Sequence, residues 1–172
     1  MKPLTVLAVL MLVSLTSFAQ TQDSATSRFV KPERLKLSGP RVGMTLLTGS
    51  DADKLKNDFS AGPLVSQFGW QFETQLFDSK EGISGLSEWV ALVGGVEQGV
   101  LLPSISWLVG IRFPSGPELA VGPMLSLSGA ALVIGGGTTL QTSSFNFPIN
   151  GALVLAKGGT TFSILVGFTT RE

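Results

Sequence analysis

The chain of 172 residues contains no cysteine, no histidine and no tyrosine. Without cysteine there is no disulfide framework, no thiol nucleophile and no lipid-modified N-terminal cysteine. Without histidine the commonest metal ligand and the commonest general base are both missing, so no Ser-His-Asp triad can be assembled. Charge is sparse as well: Asp, Glu, Lys and Arg make up 14% of the chain, with twelve of each sign. That balance offers no broad basic surface, so nucleic acid is not an expected partner. After the N-terminus there is no run of eighteen apolar residues, so any membrane span must be built from strands.

The N-terminus itself reads as an export signal. Lys2 is a charged start, "LTVLAVLMLVSL" is an apolar stretch, and "SFA" puts small residues ahead of Gln20. This is the pattern of a cleaved secretory leader over residues 1–19, too short and wrongly flanked for a membrane helix. Residues 20–38 are polar without a regular apolar period and read as a leader or tail, basic through Arg28, Lys31, Arg34 and Lys36. Residues 39–172 then form one domain. Export without disulfides suits a Gram-negative envelope.

What remains is rich in β signals. Mean hydropathy is +0.38 and there are 21 glycines, which break the domain into eight extended segments. The expected strands are 41–47, 65–77, 87–98, 104–113, 118–128, 131–141, 145–157 and 160–170, separated by turn sequences such as "DSKEG", "FPSGP" and "KGG". In "VSQFGWQFETQLFD" (65–78), Phe68, Trp70, Phe72 and Leu76 fall on one side, while Gln67, Gln71, Glu73 and Gln75 fall on the other. The same alternation sets Ile105, Trp107, Val109, Ile111 and Phe113 against Ser104, Ser106, Gly110 and Arg112. It recurs with Phe162, Ile164, Val166 and Phe168 against Thr161, Ser163, Gly167 and Thr169. The segment 50–60 instead carries Ser50 as an N-cap, Asp53 three residues on, and Leu55 and Phe59 at i, i+4, which predicts a short helix.

Two architectures fit: a small antiparallel up-and-down barrel of about eight strands, or a soluble β-sandwich. For the barrel, lipid faces Phe68, Trp70, Phe72, Trp107, Phe113, Phe162 and Phe168, and the interior holds Arg41, Glu73, Arg112, Gln67, Gln71 and Gln75. There Arg41, Glu73 and Arg112 are expected to form a buried ion-pair cluster, because an unpaired charge inside is costly. For the sandwich, the same apolar face is a core or a surface for a lipid or protein partner. Pro123 and Pro148 fall inside strands, and since a closed barrel has no edge they predict bulges.

No catalytic constellation is found. The candidate acids Glu73, Glu88, Glu97 and Glu118 lie on separate strands or strand ends, and "GGGTT" lacks the lysine of a phosphate loop. No cofactor and no metal is expected, and the chain reads as a non-enzyme. The segments "SQFGWQFE", "EWVALVGGVEQGVLLPSISWLVGIR", "GPMLSLSGAALVIGGGTT", "FNFPINGALVLAKGG" and "FSILVGF" resemble an uncharacterised family of small exported, outer-membrane-barrel-like β-proteins of bacteroidete-type bacteria. The resemblance implies export and β-architecture and brings no functional residues with it. The expectation is therefore an exported envelope protein with a structural role in the outer membrane, the alternative being a soluble periplasmic binding module.

Overall fold

The computed structural model describes residues 37–170. The expected signal over 1–19 and the basic residues of 20–36 lie outside these. Glycine- and serine-rich breaks divide the described chain into nine strands, a helix and a single 3-10 turn. These are β1 (Gly39–Leu46), helix α1 (Gly49–Phe59), β2 (Leu64–Asp78), β3 (Ser84–Gly94) and the turn Val96–Gln98. β4 (Leu102–Arg112), β5 (Glu118–Ser126), β6 (Gly129–Gln141), β7 (Phe145–Ala156), β8 (Gly159–Gly167) and β9 (Thr169–Thr170) follow.

Every strand from β1 to β8 is antiparallel to its sequence neighbours, and β1 also pairs with β8. The sheet therefore closes into an eight-stranded up-and-down barrel with β9 added against β7. Closure removes the unpaired edges that an open sheet exposes. The sandwich alternative is excluded by this pairing. At one end lie residues 37–38, the last described residue Thr170, and the connections 79–83, 113–117 and 142–144. At the other lie α1, the loop 95–101 and the two-residue turns Leu127–Ser128 and Lys157–Gly158.

Several local expectations need correction. Neither proline makes a bulge. The β4–β5 ladder skips Trp107–Leu108 opposite Gly122–Pro123 and resumes in unchanged register. Pro148 likewise falls in the gap that separates β8 from β9: Ile149 pairs with Val166 and Asn146 with Thr169, again in one register. A missing N–H breaks the ladder for two residues, and the bonds on either side hold the alignment. A register shift occurs instead between Gln75 and Phe77 of β2. The N-cap of α1 is Thr48, not Ser50, and its hydroxyl donates to the Thr160 carbonyl rather than capping the helix. Ser50 bonds the Gly158 carbonyl at 3.1 Å. Leu55 is buried with Ala61, Val65 and Val100, but Phe59 is exposed. Barrel packing also starts before residue 39, with Leu37 fully buried and the Glu73 N–H donating to Ser38 Oγ at 2.8 Å.

Inward-facing glycines let the sheet coil this tightly. A Cβ on Gly69 would stand 2.0 Å from the Ala91 carbonyl oxygen, and one on Gly43 would stand 1.9 Å from that of Ile164. Backbone is on the receiving side in both cases, so relief needs two strands to separate. Gly69→Ala is expected to destabilise the barrel by about 1–3 kcal/mol, the usual cost of overpacking. Equilibrium urea unfolding of the refolded protein measures it; a midpoint equal to that of the unaltered chain contradicts the close approach.

Candidate functional site

Side chains alternate along each strand, and here the alternation is inverted relative to a water-soluble core. The outward positions carry Val42, Met44, Phe68, Trp70, Phe72, Trp89, Ile105, Trp107, Val109, Val121, Ile134, Ile149, Phe162 and Ile164, all exposed. The inward positions carry Arg41, Thr45, Gln71, Glu88, Ser106, Arg112, Glu118, Asn146 and Ser163, all buried. Of the expected outward residues, Phe168 is exposed and Phe113 is half-buried in the β4–β5 turn. Trp89 and Trp107 pair across β3 and β4 with ring centroids 6.2 Å apart, and the Trp107 indole donates to Ser87 Oγ at 3.0 Å. That bond satisfies a donor that would otherwise stand free on an apolar wall.

The interior is divided along its length. Towards the end holding residue 37, a charged cluster fills the lumen. Arg112 grips Glu73 with Nη1 to Oε1 at 2.9 Å and Nη2 to Oε2 at 2.6 Å. Its Nε and Nη2 also donate to Glu118 Oε2 at 3.0 and 2.7 Å. The second Glu118 oxygen accepts from Asn150 Nδ2 at 2.7 Å. One planar guanidinium thus serves two carboxylates, a geometry its fixed fork of donors allows and an ammonium would not.

Arg41 is placed inside, as expected, but outside the ion pairs. It donates to Gln71 Oε1 at 3.0 Å, to the Pro40 carbonyl at 3.1 Å and to the Leu37 carbonyl at 2.7 Å. Its guanidinium thereby ties residues 37–40 to the interior face of β2. Gln75 sits at the rim, donating to Ser84 Oγ at 2.8 Å, and Gln67 faces the opposite half of the lumen. The six residues expected inside therefore occupy one interior without forming one cluster.

Glu118 and Asn150, which complete the pairing, were not singled out for it in the sequence. The signal was present: Leu119, Val121 and Leu125 turn outward, which leaves Glu118 inward. Glu88 follows in the same way from Trp89. Oxygen atoms of Glu73, Glu88 and Glu118 lie within 4.8 Å of one another. Arg112 already supplies the cation to two of these three. Glu97 stands apart, in the loop after β3, where it accepts from the Ser66 N–H at 2.7 Å and from the Ser66 hydroxyl. Those bonds hold its carboxyl well below the usual range, chiefly through the hydroxyl.

Towards the α1 end the interior turns apolar. Val90, Leu108, Val133 and Val154 form a buried cluster flanked by Leu92, Ala120, Met124 and Ala152. Here the side chains leave a cavity of about 160 Å³, with Glu88, Gln71 and Glu118 at its floor. Comparison with protein families, with curated proteins and with solved structures finds no match. The molecule is thus defined by its own geometry as a small closed β-barrel, with a charged floor beneath an apolar chamber.

Proposed function

We propose that this barrel is exported and spans a bacterial outer membrane, where its role is structural. The inverted polarity carries the proposal. An outward belt of Val, Ile, Leu, Phe and Trp runs around the barrel, while arginine, glutamate and glutamine are buried inside. Water would penalise that belt over its whole area, whereas lipid removes the penalty. Closure also satisfies the backbone, as the hydrocarbon core requires. β2, β3, β4, β6 and β7 are 11 to 15 residues long, and 9–11 tilted residues suffice to cross. Phenylalanines 77, 113, 145, 147 and 168 gather at the end that carries residue 37 and Thr170, the kind of aromatic girdle that marks a membrane interface. The interior is filled by Arg112, Glu73, Glu118 and Arg41 at this end, so no wide pore runs through.

Fractionation of the native envelope tests this reading. Expected is retention with the outer membrane through alkaline extraction, together with an unheated band that migrates differently from the heated one. Release into the soluble periplasm overturns it and favours a soluble module that uses its apolar face for a lipid or protein partner.

A further inference from the structure

The chamber above the charged floor combines two chemistries that seldom share a cavity. Its walls are aliphatic, from Val90, Leu108, Val133 and Val154. Its floor holds Glu88, only 4% exposed, which accepts no hydrogen bond and joins no ion pair among the described residues. Every other buried charge nearby is engaged: Glu73 and Glu118 by Arg112, and Arg41 by Gln71 and backbone carbonyls. This half of the interior thus sets two arginines against three carboxyl groups. Glu88 is the carboxyl left without a cation.

Neutral acceptors on the lining are short of donors too. Asn150 spends its Nδ2 on Glu118, which fixes the amide orientation and leaves its buried Oδ1 without a donor. Gln67 Oε1 is in the same position. Buried acceptors of this kind are normally satisfied, and a charged one left alone is the most costly of all. The lining continues from this floor to Asp51 of α1 and the β5–β6 turn, so the chamber reaches the α1 end of the barrel.

We propose that this cavity is a binding site for a small organic cation, a primary ammonium on an apolar body of about six to eight heavy atoms. The size follows from volume: a dry cavity of about 150 Å³ accommodates benzene, and this one measures about 160 Å³. The charge follows from Glu88. An ammonium brings three N–H donors and no acceptor, which matches a floor with acceptors to spare. An ammonium supplies the cation against which the buried Glu88 carboxyl can ionise, whereas an alcohol brings no such charge and a carboxylate ligand would crowd a floor already holding acids. Asp51 at the far end of the lining adds a second negative group on the way in, partly offset by Lys54 at 3.8 Å. The site lies within the barrel, so it does not depend on what surrounds the outer wall.

The test is calorimetric titration of the folded full chain in detergent micelles with n-hexylammonium, hexan-1-ol and hexanoate, with protein-free micelles subtracted. These probes share one apolar body and differ in the head. Expected is one saturable site for n-hexylammonium, binding at least tenfold weaker for the alcohol, and none for hexanoate. In Glu88→Gln, n-hexylammonium should fall to the level of the alcohol. In Ala152→Leu, which shrinks the chamber, both should weaken. Equal binding of alcohol and ammonium overturns the proposal, as does ammonium binding that survives Glu88→Gln or the absence of saturable ammonium binding. The comparison of the three probes on the unaltered chain decides the matter even where a variant fails to fold.

Discussion

Arg112→Met is expected to cost the barrel about 3–5 kcal/mol, because it leaves two buried carboxylates without their cation. Glu73 and Glu118 are 2% and 4% exposed at the side chain, and between them they accept four hydrogen bonds from this guanidinium. Methionine fills comparable space but donates nothing. The carboxylates must then be protonated or draw water into the lumen, and either weakens the fold. The heat-modifiable transition of the refolded protein reports the loss as a lower conversion temperature, and urea unfolding gives its size. The triple variant Arg112→Met, Glu73→Gln, Glu118→Gln should regain most of the stability, since replacing a whole buried ionic group is far gentler than stranding part of one. Arg41→Met should lie between, because its partners are a neutral amide and backbone carbonyls. An Arg112→Met loss below about 1 kcal/mol, the value of an exposed pair, would mean that water reaches the cluster freely.

This cluster also marks how much of the interior is legible in the residues alone. Alternation in β2, β4 and β8 was enough to place Phe68, Trp107 and Phe162 outward and Gln71, Arg112 and Ser163 inward, because side-chain period is a local property. Which strand stands across the lumen is not local. Arg112 meets Glu73 from 39 positions away, and that meeting depends on barrel stagger, which no single strand encodes. Arg41 stands outside the ion pairs for another reason: besides the Gln71 amide its partners are main-chain carbonyls of residues 37 and 40, and every residue offers one of those. The prolines depart from expectation because a bulge is only one way to accommodate a missing donor, and here the flanking bonds keep register. The chamber was invisible because it arises where small residues such as Ala120 and Ala152 face Val90 and Leu108, and the facing requires the closed ring.

The outer wall admits a sharper test than its composition. Val121 points outward near the middle of β5, 48% exposed, with Val109 beside it on β4 and Ile134 beside it on β6. If lipid covers this wall, Val121→Arg puts a guanidinium near the membrane midplane, at an expected cost of about 2–4 kcal/mol. If water covers it, the same substitution exchanges an exposed apolar side chain for a soluble one and should stay within about 0.5 kcal/mol. The two environments therefore predict different magnitudes from one residue, with the interior untouched. Reversible unfolding from lipid vesicles reads the difference directly. Glu81→Arg serves as a reference, because residue 81 is exposed in the turn between β2 and β3 and should tolerate the change in either environment. A large penalty at 121 with none at 81 places lipid against the wall; two small ones place water there. Val121 neither donates nor accepts through its side chain, so a penalty found there comes from what surrounds the barrel rather than from a broken contact within it.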